Sequence, residues 1–135
     1  MKLFLDTNVL LDNFENRQPF NQQVKLFFAK ADRNNWQFYV TAISFLNTHY
    51  ILKKKISKDL SIKIISDFVS KVEVVFVTKE MLLAAAQSNF KDFEDAVQYQ
   101  CALSIVGIDG IITRNKKDFK KSYISIYTPF EALDL

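Results

Sequence analysis

The chain has 135 residues, of which 49% are apolar and 24% charged, and its 18 basic and 15 acidic side chains leave a formal net charge of +3. This length suits one domain with a hydrophobic core, predicted to cover residues 1–135, and the composition excludes a disordered tail. With two glycines, one cysteine and one histidine, the chain cannot contain a dinucleotide-binding fingerprint, an internal disulfide or a Cys/His zinc site. If the chain performs catalysis, we expect carboxylates to carry it.

Strand-like and helix-like segments alternate along the chain. Strands are predicted at residues 2–5, 37–42, 73–77, 111–113 and 124–127. Helices are predicted at residues 9–16, 21–33, 44–54, 79–87 and 92–106, with Thr78 capping the fourth, and one more helix follows its capping residue Ser57. Apolar strands separated by helices favour right-handed βαβ units. We therefore predict an α/β fold, a parallel β-sheet flanked by helices on both faces.

The ends and apolar segments of the chain give expectations about location. The first residues are apolar but are interrupted by Asp6 and Asp12, which is too short and too acidic a pattern for a signal peptide. No apolar run approaches the roughly 20 residues of a membrane helix. The unpaired Cys101 fits a reducing compartment. We expect a cytoplasmic protein without a membrane partner, whose mildly basic charge permits a polyanionic one.

The 13 phenylalanines provide much of the predicted core. Helical or strand spacing predicts inward-facing positions for Phe27, Phe28, Phe38, Phe68 and Phe76.

Polar residues collect at one predicted edge of the sheet. Asp6 ends the first strand, and Asp92 and Asp95 open the helix that precedes the fourth strand. Asp118 follows that strand, and Asn47 lies in the first turns of the helix after the second strand. Ligands of parallel sheets bind outside the carboxyl ends of the strands, so we expect these segments to meet in one pocket.

Most of these residues also have a structural interpretation. Asp92 and Asp95 have the spacing of a capping pair at a helix start, where acids complement the helix dipole. Asp118 has the setting of an ordinary turn residue. Asp6 is different, because an acid that directly ends a buried strand favours a functional role.

Carboxylates that converge repel one another unless a cation lies between them. All-oxygen sites select hard divalent ions such as Mg²⁺ or Mn²⁺. Such ions bind phosphate oxygens, lower the pKa of bound water and stabilise in-line attack on a phosphodiester. The acidic pocket therefore predicts metal-dependent phosphodiester chemistry.

Three segments carry a family resemblance. They read Leu-Asp-Thr-Asn-Val-Leu-Leu-Asp at 5–12, Asp-Phe-Glu-Asp-Ala-Val-Gln-Tyr-Gln-Cys-Ala at 92–102 and Ile-Thr-Arg-Asn-Lys-Lys-Asp-Phe at 112–119. These segments resemble the PIN-domain ribonucleases, whose small members include the VapC-type toxins of bacterial toxin–antitoxin pairs. The resemblance covers essentially the whole chain in order. It implies a parallel sheet flanked by helices and Mg²⁺- or Mn²⁺-dependent cleavage of RNA. It also implies an antitoxin protein and a second copy of the chain as candidate partners.

The resemblance implies roles for individual residues. The family's metal-binding acids match Asp6, Asp95 and Asp118, which are the predicted catalytic residues. The metal shell is predicted to be completed by Asn47, Asp92 and Glu94. Predicted substrate contacts are Thr7, Asn8, Thr113, Arg114, Asn115, Lys116 and Lys117.

One position departs from the family pattern. The helix after the second strand usually supplies a glutamate, and here Asn47 occupies the matching position. An amide oxygen can ligate a metal, but more weakly than a carboxylate, and it cannot act as a base. Asp92 and Glu94 are candidates to restore the lost charge. The structural alternative is that Asn47 opens the helix and pairs with Ser44.

A basic segment surrounds Asp118. Its cations are Arg114, Lys116, Lys117, Lys120 and Lys121. A phosphate backbone is bound by such a basic rim around an acidic centre, so this segment is predicted to contact RNA. The run at 53–55 is instead expected to stabilise a helix C-terminus.

Three functions remain open from the sequence. The leading prediction is a metal-dependent endoribonuclease that hydrolyses RNA phosphodiester bonds, with the toxin of a toxin–antitoxin pair as its candidate role. The alternative is a catalytically weakened RNA- or protein-binding module on the same fold. A phosphatase of the haloacid dehalogenase type also begins with an aspartate that ends strand 1, but it needs a second acid two residues later, where this chain has Asn8.

Overall fold

The computed structural model describes residues 1–135 and forms five strands, six α-helices and two short 3-10 helices. The strands are β1 Lys2–Leu5, β2 Gln37–Thr41, β3 Glu73–Val75, β4 Gly110–Ile112 and β5 Ile126–Tyr127. The α-helices are α1 Thr7–Phe14, α2 Phe20–Arg33, α3 Ala42–Leu52, α4 Lys58–Val69, α5 Lys79–Ala86 and α6 Phe93–Leu103. The 3-10 helices span Lys116–Phe119 and Glu131–Asp134. None of the helices combines the length and apolarity that crossing a bilayer requires.

All five strands pair in parallel, in the order β3-β2-β1-β4-β5. The central strand is β1, with β2 on one side and β4 on the other, so the strand order reverses there. Such a switch point opens a crevice at the carboxyl ends of the strands. The predicted parallel sheet is confirmed, and Asp6 lies directly after its central strand.

The sheet is covered on both faces because successive side chains of β1 alternate between two cores. Leu3 and Leu5 belong to one buried cluster with residues of α1, α2 and α3, including Phe27. Phe4 belongs to a second cluster with residues of α5 and α6, including Val97. Burial of this apolar surface is the main stabilising contribution to the fold. The predicted flanking of both faces by helices is confirmed.

Several predicted boundaries shift because helices begin immediately after strands. The first helix starts at Thr7 and not at residue 9, since Asp6 is still extended and its carbonyl already accepts from the Val9 amide at 3.0 Å. The third helix starts at Ala42, where the Thr41 hydroxyl accepts from the Ser44 amide at 2.9 Å. The caps predicted at Ser57 and Thr78 are both confirmed.

The third strand is shorter than predicted, and this changes the position of one phenylalanine. Strand β3 ends at Val75, opposite Thr41, where β2 also ends. Phe76 therefore lies beyond the sheet and is 72% exposed, so its predicted place in the core is wrong. The other four phenylalanines do pack in or against the first core, namely Phe27, Phe28, Phe38 and Phe68.

Candidate active site

The carboxyl ends of the strands open into a cleft of about 570 Å³. The three predicted catalytic acids, Asp6, Asp95 and Asp118, all line it. So do the other predicted metal-shell residues, Asn47, Asp92 and Glu94. Thr7, Asn8 and Asn115 also line this cleft, which we call the acidic cleft. Four segments that are distant in sequence thus meet at one edge of the sheet.

Asp6 is the most buried acid of the acidic cleft, at 4% exposure. Its Oδ2 accepts from the Thr113 hydroxyl at 2.7 Å and from the Asn8 amide at 2.8 Å. Its Oδ1 accepts from Gln98 Nε2 at 3.0 Å. Burial raises the pKa of Asp6 above its ordinary value, and the hydrogen bonds from Thr113 and Gln98 oppose that rise. The carboxylate is therefore held in place by neutral donors without a cation beside it.

Gln98 is a functional residue that the sequence interpretation missed. Its side chain is 2% exposed, and its Oε1 accepts from the Thr7 backbone amide at 3.3 Å while its Nε2 donates to Asp6. It lies three residues after Asp95, hence on the same face of α6. The sequence signal that could have identified Gln98 is a polar residue three positions after Asp95, a candidate metal ligand.

Thr113 and Asn8 also act on Asp6. Thr113 is fully buried, and its hydroxyl accepts from the Asn115 amide at 3.0 Å while donating to Asp6. Asn8 Oδ1 accepts from the Arg114 amide at 3.2 Å. The predicted contact of Thr113 with the substrate does not agree with this geometry, because the buried Thr113 hydroxyl is bound to Asp6. Both residues tie the loop after β4 to the buried carboxylate.

Asn47 pairs with an acid across the acidic cleft. Its Nδ2 donates to Glu94 Oε1 at 3.4 Å, and the Thr7 hydroxyl donates to the same oxygen at 3.4 Å. Ser44 instead bonds the hydroxyls of Thr7 and Thr41, at 2.7 and 2.8 Å. The alternative pairing of Asn47 with Ser44 is therefore wrong, because those two hydroxyls already surround Ser44.

Asp92 and Asp95 have both a structural and an electrostatic role. Asp92 caps α6, with its Oδ1 accepting from the Asp95 amide at 3.0 Å, as the capping interpretation predicts. Burial, together with the charges of Asp6, Asp92, Asp118 and Glu94, raises the pKa of Asp95 to about 7. The acids of the acidic cleft therefore repel one another in the absence of a cation.

No basic side chain neutralises these acids. The five ion pairs of the chain involve Glu15, which two cations share, and the acids Asp12, Asp67 and Glu131, none of which lines the acidic cleft. Nowhere in the chain do three His, Cys, Asp or Glu side chains already stand close enough together to hold an ion. The all-oxygen donor set fits Mg²⁺ or Mn²⁺, and ligation would draw in the exposed side chains of Asp92, Glu94 and Asp118.

The predicted basic rim divides into two groups. Arg114 donates to the buried Asp12 at 2.7 Å and lies 4.4 Å from the centre of the Phe20 ring, so its charge faces α1 and not the acidic cleft. Lys116 bonds Glu131 at 3.0 Å. These two predicted substrate contacts are engaged elsewhere, because carboxylates outside the cleft need counter-charges. Lys117 does border the acids, in a neighbouring cleft.

Comparison with known proteins relates this chain to a protein family. The family model described as PIN domain matches residues 2–117. A relative named Ribonuclease VapC1, from Aquifex aeolicus (strain VF5), is 28% identical over 137 residues, covering 96% of this chain and 92% of the relative.

Solved structures share the fold at low identity. One is DNA-bound VapBC from Salmonella typhimurium, with a TM-score of 0.70, 17% identity and coverage of 96% of this chain and 98% of that one. Another is VapBC-1 from nontypeable Haemophilus influenzae, with a TM-score of 0.69, 18% identity and the same coverages. A family match over most of the sequence, on a five-stranded parallel sheet with its acids at the carboxyl edge, shows that the chain belongs to the PIN domain family.

Proposed function

We propose that this chain is a metal-dependent endoribonuclease that hydrolyses RNA phosphodiester bonds with the help of Mg²⁺ or Mn²⁺. One observation carries the proposal: Asp6, Asp95 and Asp118, with Asp92 and Glu94, share the acidic cleft without a basic partner. Support also comes from a relative, similar over nearly its whole length, that is named a ribonuclease.

The residues that would hold the ion are Asp6, Asp95 and Asp118, with Asn47, Asp92 and Glu94 as the remaining oxygen donors. When bound, such an ion neutralises phosphate charge and activates water for attack on phosphorus. Asp6 contributes a fixed position, because three neutral donors hold its two oxygens. Preorganised groups of this kind avoid reorganisation during the reaction.

The surrounding residues orient this carboxylate. Gln98 donates to Oδ1, so its amide nitrogen must face Asp6 and its oxygen must face the Thr7 amide. Thr113 links Asp6 to the loop that carries Asn115 and Asp118. A shift of β4 relative to β1 would therefore move the acid and the loop together. These are positioning residues.

A second candidate, the catalytically weakened module, is favoured by Asn47. The neutral amide at this position bonds Glu94 and leaves one carboxylate fewer for a cation. Cleavage and metal binding distinguish the two, because a module that only binds RNA would do so with no response to Mn²⁺.

The biological setting is proposed from the solved relatives. The structures from Salmonella typhimurium and Haemophilus influenzae are VapBC proteins, and one from Klebsiella pneumoniae, with 21% identity and a TM-score of 0.68, is a toxin–antitoxin complex. We propose that this chain is likewise a cytoplasmic toxin, that residues 1–135 act as one domain, and that an antitoxin and a second copy of the chain are its partners.

The experiment compares RNA cleavage by the purified protein and by Asp6→Asn, with Mn²⁺ and with EDTA. We expect cleavage that requires Mn²⁺ and is abolished by Asp6→Asn, while Asp67→Asn, a change at an exposed acid of α4, leaves it intact. Circular dichroism checks that the variants remain folded. Undiminished cleavage by Asp6→Asn, or cleavage indifferent to EDTA, would overturn the assignment.

A further inference from the structure

A second cleft of about 460 Å³ adjoins the acidic cleft, and the carboxylates Asp92, Asp95 and Asp118 line both. Its other charged residues are lysines from two separate segments: Lys91, Lys117, Lys120 and Lys121. We call this second cavity the lysine cleft. The lysine cleft therefore brings four ammonium groups into one cavity with three of the candidate metal-binding carboxylates.

The four lysines are not used by the fold. All of them are exposed, and none takes part in any of the five ion pairs or in a side-chain hydrogen bond, although three carboxylates lie in the same cleft. By contrast, Lys116 bonds Glu131 and Arg114 bonds Asp12. Opposite charges that line one cavity without pairing are both available to ligands.

Packed aromatic residues hold the two lysine-bearing segments together. Phe90, which precedes Lys91, stacks on Tyr99 with ring centres 5.0 Å apart and meets Phe119 edge-on at 6.2 Å. Phe119 is 1% exposed and lies between Lys117 and Lys120 in sequence. The Tyr99 hydroxyl also accepts from the Tyr123 amide at 3.0 Å, just after Lys121. An aromatic cluster thus joins the two segments that carry the lysines.

We propose that the lysine cleft binds backbone phosphates of the RNA strand on one side of the bond that is cleaved. This inference rests on the proposed function and deepens it, because it says where the substrate strand leaves the acidic cleft. Several unpaired ammonium groups lining one concave surface match the regular charges of a phosphate backbone. None of the four lysines lines the acidic cleft, so we assign them to binding and not to the chemical step.

The test measures binding apart from cleavage. A fluorescein-labelled polyuridylate oligonucleotide is titrated in EDTA with the wild type and with a variant carrying K91Q, K117Q, K120Q and K121Q, at several salt concentrations. We expect the variant to bind about tenfold more weakly or worse, and the slope of log affinity against log salt to fall by about 2 to 3, since each single-strand phosphate contact contributes about 0.7. The matched control carries K25Q, K58Q, K63Q and K71Q, four exposed lysines outside both clefts.

The outcomes separate this inference from the proposed function. Loss of Mn²⁺-dependent cleavage in Asp6→Asn tests the nuclease, whereas the EDTA titration needs no catalysis. In cleavage assays the lysine-cleft variant should raise KM and leave kcat unchanged. An unchanged salt slope would overturn the inference, as would equal losses in the control variant. A polyglutamate peptide provides the last comparison. If the lysine-cleft variant lost binding to this peptide but kept its affinity for the oligonucleotide, the inference would be overturned and the cleft would be assigned to an acidic protein.

Discussion

Gln98 and Asp6 form a buried pair in which the orientation of the amide is determined. Gln98 Nε2 donates to Asp6 Oδ1 at 3.0 Å, and Gln98 Oε1 accepts from the Thr7 amide at 3.3 Å. The two side chains are 2% and 4% exposed. The pair links α6 to the carboxyl end of β1.

Gln98→Leu should therefore destabilise the protein and weaken metal binding. It leaves a buried carboxylate oxygen and a backbone amide without partners, which costs about 1–3 kcal/mol. Urea unfolding measures the loss, and calorimetric titration measures Mn²⁺ affinity. Gln100→Leu is the matched control on the same helix, since Gln100 makes no side-chain hydrogen bond there. Equal effects of the two changes would contradict the role of Gln98.

Arg114→Ala should destabilise the fold by about 2–3 kcal/mol, because it leaves the carboxylate of Asp12 unpaired in the interior. Asp12 is 1% exposed, Arg114 bonds its Oδ1 and its Oδ2 has no hydrogen-bond partner, while the Arg114 side chain is 26% exposed, which moderates the effect. Burial already raises the pKa of Asp12, and the charge of Arg114 opposes that rise. Thermal unfolding is the measurement.

Lys116→Ala provides the comparison for Arg114. The Lys116–Glu131 pair is about half exposed at both ends, so its loss should cost less than about 1 kcal/mol. If Arg114→Ala unfolded no more easily than Lys116→Ala, while RNA binding fell sharply, Arg114 would be a substrate contact after all.

The sequence was sufficient to predict the sheet and the meeting of the acids. Buried strands separated by helices leave few topologies, and parallel strands bring their carboxyl ends to one edge. Asp6, Asp95 and Asp118 follow from that rule, because each lies next to a strand end or a helix start. Local rules also predict the caps at Ser57 and Thr78.

Pairings between distant side chains could not be predicted in the same way. Arg114 is close in sequence to Asp118, yet its side chain points to Asp12, 102 positions earlier. Proximity along the chain says little about side-chain direction once a loop turns. Phe76 continues an apolar run, but the strand ends where its neighbour ends, and register depends on tertiary pairing.

The stability of the metal-free protein should fall as pH rises towards 7. The pKa of Asp95 is raised from 3.8 to about 7 in the folded state, so the folded protein binds more protons than the unfolded chain between these values. The contribution of Asp95 to stability is therefore greatest below the pKa that Asp95 has in the unfolded chain. It is lost as the pH rises through the pKa that Asp95 has in the folded protein. Thermal unfolding in EDTA across this range should show a falling Tm.

Two further samples test this assignment of the pH dependence. Asp95→Asn should make the profile shallower, because it removes one of the carboxyl groups whose pKa is raised in the folded state, beside Asp6 and Asp12. Addition of Mn²⁺ should raise Tm most at the upper end of this pH range, where Asp95 loses its proton and can bind the ion. If Asp95→Asn left the dependence of Tm on pH unchanged, that dependence would be assigned to other groups.

Asn47→Glu should tighten Mn²⁺ binding by roughly tenfold, since it adds a carboxylate to the ligand set. Without metal, the same change should lower Tm, because the new charge faces Glu94, whose Oε1 now accepts from Asn47 at 3.4 Å. Calorimetric titration and thermal unfolding check the two effects. Asn115→Gln, a neutral change on the same cleft, is the control. Unaltered Mn²⁺ affinity in Asn47→Glu would place Asn47 outside the ligand set.

The central claim is that one hard cation unites acids from separate parts of the chain. Its most direct measurement is an anomalous difference map from crystals soaked in Mn²⁺ at about pH 8, above the pKa of about 7 of Asp95. We expect a manganese peak coordinated by Asp6, Asp95 and Asp118. A map with no peak among these three side chains, at a manganese concentration that supports RNA cleavage, would contradict it.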